Sequence, residues 1–382
     1  MINRYHDLNI KSIWSEDSIT NKWMKLELLC LEGWSKFNLI SESELEIIKS
    51  NIKIDINRWK DIENETKHEF AAFIQMLEET IPNSLGKWLH YGLTSSDILD
   101  SASSLCLKET LEYISTLLYN LDKKLNNLID NNLHTEFCGR THGQVAEIQE
   151  FSQLIFRWKA ELKRCIERVN LTIEKVSVIK LSGPVGNYTN IPQEIEFYVA
   201  NKLELKQAKF SSQIISRDIF ADYFYSLAMV ASLLEKIATY IRLLSMSGIN
   251  EFNENFSSGQ IGSSAMPHKK NPIICENICG LSRMIKSYLI TAIDNNNSWL
   301  ERDMSHSSIE RITFVDSAHL TAHSIKNLTK VLDNLYINKV EIQKNINQNL
   351  TKLNSHKNML DIIKNNNISR KDAHKFTMNG TK

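Results

Sequence analysis

An all-α fold built on a bundle of long helices is predicted by three observations. Only 12 Gly and 5 Pro stand among 382 residues, so helix breakers are scarce. Apolar residues recur with alternating spacings of four and three over long runs. No comparable run alternates with period two, as a half-buried strand requires.

The elements follow in chain order. Residues 1–97 carry shorter helical patterns, such as Lys22–Phe37 and Glu42–Asn51, and read as a small helical domain. Residues 98–338 hold the long helices. Leu107, Leu111, Ile114, Leu118, Leu121, Leu125 and Leu128 form one apolar stripe. Tyr223, Leu227, Val230, Leu234, Ile237, Ile241 and Leu244 form a second, and Ile278, Leu281, Ile285, Tyr288 and Ala292 a third. One continuous stripe per helix suits neighbours crossing at a shallow angle, and such stripes are core. Residues 339–382 are rich in Asn and Lys and predict one or two helices striped by Ile342, Ile346, Leu350 and Leu353. The Asn365–Asn367 run reads as a turn, and the stretch beyond it, with Phe376 and Met378 nearly its only large apolar groups, as a loosely held end.

Composition narrows the function classes. Lys+Arg and Asp+Glu are equal at 45 each, which argues against a nucleic acid or other polyanionic partner. Charges such as Glu235 and Lys236 interrupt the apolar stretches, so no membrane span is expected. The opening Met1-Ile-Asn-Arg-Tyr-His lacks the apolar core of a signal peptide. Six scattered cysteines (Cys30, Cys106, Cys138, Cys165, Cys275, Cys279) fit reduced thiols in a cytoplasm. Cys275 and Cys279 lie one helical turn apart, but no second pair completes a metal site, so buried thiols are expected.

Three polar segments are more than a bundle needs: His90-Tyr-Gly-Leu-Thr-Ser-Ser-Asp97, Gly139-Arg-Thr-His-Gly-Gln144, and 257–277. The last begins as a pliant loop, with Gly259, Gly262 and four serines. It ends as a helix start, with Asn271 as N-cap and Pro272 at the first helical position. Free N–H groups, a helix dipole and the cations Lys269 and Lys270 make that end suited to an anion. Taken alone, it reads as a basic surface loop, and His142 as a capping histidine.

The string Gly262-Ser-Ser-Ala-Met-Pro-His-Lys-Lys-Asn-Pro272 resembles the signature Gly-Ser-Ser-x-Met-Pro-x-Lys-x-Asn-Pro of the fumarase/aspartase superfamily. His268 is similar to the residue found there in adenylosuccinate lyases and carboxymuconate cycloisomerases, whereas argininosuccinate lyases usually carry Gln. Glu63–Glu69 and Trp299–Arg311, the latter reading Glu-Arg-Asp-Met-Ser-His-Ser-Ser-Ile-Glu-Arg from 301, resemble segments of the adenylosuccinate lyase family. Arg4-Tyr5 and Gln213 also fit, and the resemblance runs in register from residue 4 to about 363.

The resemblance implies a fumarase/aspartase-like all-α fold with smaller helical domains at both ends. It also implies elimination of fumarate from adenylosuccinate and from the succinylated carboxamide ribotide of purine synthesis. No cofactor or metal is implied. By the same carry-over His142 is the general acid and Ser263 the general base, with Lys269 stabilising its alkoxide; His68 assists His142 or binds substrate. Lys269 and Asn271 would hold the carboxylates with help from Thr94, Ser95 and Ser264, and Lys270 would also bind substrate. Arg4, Tyr5, Arg302, Ser307 and Arg311 would hold phosphate and ribose, with Lys67, His68, Glu69, Gln213 and Asn277 lining the rest. The 259–262 segment would close over substrate. A homotetramer is implied, with each site shared by three subunits. Lys67 and Glu69 replace the family's Arg and Asp; Lys keeps the charge without the bidentate fork. Family members usually continue further at the C-terminus, so either a reduced third domain or a truncated product is expected. The alternatives are a catalytically impaired structural or binding homologue, which would need none of Ser263, His142 and Lys269, or another superfamily lyase such as a carboxymuconate cycloisomerase or argininosuccinate lyase.

Overall fold

Helices account for most of the chain in this computed structural model, which describes residues 1–256, 259, 262–263, 265–266 and 268–380. In order these are α1 (Leu8–Ile13), α2 (Glu16–Lys36), α3 (Glu42–Asn51), α4 (Ile56–Thr66), α5 (Glu69–Thr80) and α6 (Ser95–Asp130). A hairpin follows, β1 (Glu136–Thr141) and β2 (Gln144–Glu150), and then α7 (Phe151–Val176). Next come β3 (Val178–Ile179), α8 (Gln193–Leu203), β4 (Lys206–Gln207), α9 (Arg217–Leu244) and β5 (Phe252–Asn253). The rest is α10 (Ile273–Asp294), α11 (Ser305–Asp333), β6 (Tyr336–Ile337), α12 (Lys339–Gln348), α13 (Leu350–Leu353), α14 (Ser355–Asn366) and α15 (Arg370–Gly380).

The three predicted stripes lie on α6, α9 and α10. Every member is buried except Tyr288, which is half-buried. The chain divides into two compact units whose boundaries fall within the five longest helices. The first unit comprises 1–116, 167–229 and 284–323. Trp23 sits edge-on to Trp59, Phe70 and Phe73 at its centre, with centroids 5.2–5.7 Å apart. Ser41 and Glu44 start α3 with a reciprocal capping box. Parallel β3 and β4 make a two-residue ladder beside α8.

The second unit comprises 117–166, 230–283 and 324–382. Phe252 of β5 packs against Phe137 and Phe151 at 5.3 and 5.2 Å. The β1–β2 hairpin is the one sizeable departure from an all-helical reading. Glu136, Arg140, Glu147 and Gln149 sit among its few apolar residues, and a bulge between Cys138 and Arg140 breaks the register. That mixture hides the period-two signal. Four helices, not one or two, follow residue 338. Ile342, Ile346 and Leu353 are buried as expected, but Leu350, just after the α12–α13 break, is 46% exposed. Asn367 takes the left-handed conformation, φ 51°, and ends α14 at the expected turn. No helix among the described residues is long and apolar enough to cross a membrane.

Candidate active site

The first unit carries the residues expected to hold phosphate and ribose, together with Thr94 and Ser95, expected at the carboxylates, and His68. Thr94 precedes α6, and its N–H donates to Asp97 Oδ2 at 2.8 Å. That closes the helix start from within, leaving Thr94 and Ser95 half-buried at the tip. Lys67 ends α4 in the left-handed conformation, φ 55°. His68 caps α5, its Nδ1 accepting from Ala71 N–H at 3.2 Å. An acceptor Nδ1 leaves Nε2 to carry the ring proton. Glu69 and Arg311 form a two-bond pair at 2.5 and 3.0 Å, which pushes the guanidinium pKa up. So Glu69 orients an arginine, a role that the Glu-for-Asp replacement did not suggest.

Arg302 donates to Gln213 Oε1 at 3.0 Å, while its buried Nε has no protein partner. Burial pushes its pKa down. Ser307 lies in the first turn of α11, and Tyr5 meets the His323 ring edge-on at 5.1 Å. Arg302, Ser307, Arg311 and Glu69 line a cavity of about 240 Å³ floored by Trp14, Trp23 and Trp59.

Behind these residues lies a charge cluster that sequence reasoning missed. Arg217, 4% exposed, is bidentate to Asp100 (2.6 and 3.0 Å) and to Glu310 (2.9 and 3.1 Å). The Arg217 cation holds the Asp100 pKa down against its burial. Burial dominates at Glu310 and raises it to about 7. Burial, with Arg217 next, lowers His306 to about 4. His306 and Glu310 lie inside the 301–311 segment, so the signal was present; nothing local marks Asp100 or Arg217. His90 was also passed over. Glu27, fully buried, takes both its N–H (2.9 Å) and its Nδ1 (2.8 Å).

The second unit carries the residues expected to do the chemistry. His142 and Gly143 form the two-residue turn of the β1–β2 hairpin, at φ 54° and 77°. Glycine takes that geometry without cost, and histidine tolerates it. The imidazole is thereby displayed at an exposed tip. Below it Arg140 makes two bonds to Glu251 (2.9 and 2.8 Å), itself fully buried and accepting from Asn345 at 2.9 Å.

Ser263 is half-buried, and its Oγ accepts from Met266 N–H at 3.2 Å. A Cβ at Gly262 would lie 2.5 Å from Lys269 O, so glycine is needed there. His268, Lys269, Lys270 and Asn271 line a cavity of about 1140 Å³ with Arg242, Glu254 and Glu276. Asn277 is half-buried on α10. Ser264 and residues 260–261 of the expected closing segment lie outside the described residues.

The helix start differs from expectation. α10 begins at Ile273, not Pro272, and Asn271 offers its backbone carbonyl to Ile273 N–H at 2.9 Å. The buried Glu254 carboxylate takes Ile274 N–H (3.2 Å) and Cys275 N–H (2.6 Å). Those donors and the helix dipole are therefore spent on the chain's own anion, and a substrate carboxylate here relies on side chains. Cys275 and Cys279 are buried thiols, as are the other four cysteines.

A family model described as Lyase matches residues 8–286. The adenylosuccinate lyase of Thermotoga maritima is 38% identical over 374 residues, 98% of this chain and 86% of that one. Among solved structures, a fumarate lyase from Mesorhizobium sp. BNC1 superposes with a TM-score of 0.88 at 20% identity, covering 100% of this chain and 87% of the other. The β-carboxy-cis,cis-muconate cycloisomerase of Acinetobacter calcoaceticus superposes at 0.85 with 18% identity, over 98% and 85%. These two likenesses speak to the fold alone. With more than half the chain matched by the lyase model and a 38% identical relative covered over most of its length, the chain belongs to the adenylosuccinate lyase family.

Proposed function

We propose that the protein is a carbon–nitrogen lyase that eliminates fumarate from adenylosuccinate, giving AMP, and from succinylaminoimidazole carboxamide ribotide. The observation that carries this reading is the 38% identity over 98% of the chain, with no break in the 262–272 signature.

The chemistry asks for three things: a base at a weakly acidic carbon, cations around the doubly charged intermediate, and an acid at the departing nitrogen. Ser263 takes the proton, and the Met266 N–H on its Oγ stabilises the alkoxide that does so. Lys269, Lys270 and Asn271, with Thr94, Ser95 and Ser264, hold the carboxylates. His142 protonates the leaving nitrogen from its exposed hairpin tip. Imidazole suits this because its ring nitrogens can both carry and give up a proton. Arg302, Ser307 and Arg311, with Arg4 and Tyr5, take phosphate and ribose. Lys67, Glu69, Gln213 and Asn277 line the remainder, and His68 presents Nε2–H to substrate or to His142.

The active form in this reading is a cytoplasmic homotetramer in which three subunits build each site. Apolar side chains left exposed on long helices support association: Met284, Ile290 and Ile293 on α10, and Tyr119 on α6, are 48–67% exposed. The test is direct. Purified protein given adenylosuccinate is expected to release AMP and fumarate in equal amounts; no release, with the fold intact, removes the reading.

A further inference from the structure

We propose that Asp97 and Lys180 are a positioning pair that keeps the carboxylate-binding and nucleotide-binding ends of the substrate site in register. This rests on the reading above, in which Thr94 and Ser95 belong to one end and Gln213 and Arg302 to the other.

Both side chains are fully buried. Asp97 Oδ2 accepts from Thr94 N–H at 2.8 Å. Its Oδ1 accepts from Lys180 Nζ at 2.5 Å, Ser182 N–H at 3.1 Å and Gly183 N–H at 3.3 Å. Lys180 Nζ also donates to Gly183 O at 2.8 Å. One carboxylate thus ties the start of α6 to the 180–183 loop.

The same loop reaches the other end. Pro184 O accepts from Gln213 Nε2 at 3.1 Å, and Gln213 Oε1 accepts from Arg302 at 3.0 Å. Ser182 and Ser211 hydroxyls meet at 3.1 Å. A Cβ at Gly186 would lie 2.0 Å from Ser211 O, so the two loops cannot be packed with any other residue there. A continuous chain of bonds therefore runs from Thr94 through Asp97, the 180–184 loop and Gln213 to Arg302.

Stability alone is a poor reason for this arrangement. A neutral Ser, Thr or Asn caps a helix adequately, and an apolar pair of equal volume usually matches a buried ion pair in stability. What the ions add is fixed geometry: a fully coordinated carboxylate has one place to sit. Two binding ends out of register cannot both meet one substrate, and each charged hydrogen bond so lost weakens binding roughly 10- to 150-fold.

The test uses Asp97→Asn, Lys180→Gln and the uncharged double variant, assayed well below each melting midpoint. Turnover of adenylosuccinate is read alongside backbone hydrogen exchange. The expected result is a KM increase of roughly 10- to 100-fold with a smaller change in kcat. Exchange should rise together at 94–97, 182–186 and 211–215. An unchanged KM in a folded variant, or faster exchange confined to 94–97, overturns the proposal. So does failure of all three variants to fold, which would make the pair structural support. A wild-type protein inactive on adenylosuccinate removes the functional reading instead, and the exchange pattern then decides the coupling by itself.

Discussion

The two units hold the residues assigned to the proposed site in opposite ways. In the first, the residues assigned to binding are held by other side chains of the same chain: Arg311 by Glu69, Arg302 by Gln213, Thr94 by Asp97. In the second, most of the groups assigned to proton transfer and charge stabilisation stand toward solvent, Ser263 being half-buried, while the segments that carry them are tied down by buried carboxylates. His142, Lys269 and Lys270 are exposed, yet Arg140–Glu251 fastens the hairpin and Glu254 fastens the start of α10. The difference matches the two tasks. Binding gains from donors fixed in advance, because no entropy is then lost on contact. A proton-transfer group must instead stay free to meet its substrate atom.

The sharpest way to break this comparison is to remove the groups assigned to proton transfer. Ser263→Ala and His142→Gln are each expected to lower kcat by about 10² to 10⁴, with helix content and oligomeric state unchanged. Near-normal turnover in either variant removes that residue from the mechanism. If sites are shared among subunits, mixing the two inactive proteins restores some wild-type sites, and activity returns after subunit exchange. Verified exchange without recovery confines each site to one chain.

Removing a fixed group has a smaller effect. Arg302→Ala loses charged hydrogen bonds worth about 1.5–3 kcal/mol, or roughly 10- to 150-fold in KM. kcat should change far less, since the phosphate lies away from the breaking bond. A fall in kcat with constant KM would move Arg302 to the chemical side of the comparison.

The cluster behind the binding groups gives a pH dependence. The carboxyl pKa of Glu310 is raised by burial to about 7, so the folded protein binds this proton more tightly than the unfolded chain does. Its contribution to stability is fully present below the unfolded value, near 4.3, and is lost as pH rises through about 7. Between pH 5 and 7.5 the wild type should therefore lose stability that Glu310→Gln keeps, a difference on the order of 1–3 kcal/mol. Parallel melting curves for the two proteins across this range would place Glu310 among ordinary carboxylates.

The long helices were legible because α6, α9 and α10 each follow a single period over many turns, and an error at one residue leaves the stripe intact. The hairpin was not, since its apolar residues are few and a bulge shifts the pattern at Cys138. Ser263, Lys269 and Arg302 could be singled out because each lies on a continuous motif. Asp100, Arg217, Lys180 and Glu27 escaped notice because each acts through a partner dozens of residues away, which no local pattern encodes. The helix-start anion site failed for a similar reason. Its donors were correctly expected, but Glu254, 20 residues earlier, fills them.

The smallest expected effect concerns residues 366–382. The structure forms α15 there, where a loose end was expected, and packs it against α14. Its attachment is slight. Ala373 is fully buried, whereas Phe376 is 71% exposed, and the side chain of Met378 lies outside the described residues. Burying one methyl group contributes about 0.8 kcal/mol, and each ordered backbone residue costs about 1–2 kcal/mol in entropy. The helix is thus held mainly by its own hydrogen bonds, and short isolated helices are marginal in water. Every residue assigned to the site precedes it. Deletion of 366–382 should therefore shift the melting temperature by no more than about 1 °C, which for a chain of this length is under about 1 kcal/mol, and leave turnover unaltered. Limited proteolysis followed by assay decides the matter: cleavage near 366 that dissociates the assembly or abolishes activity would show that this tail is integral to the fold.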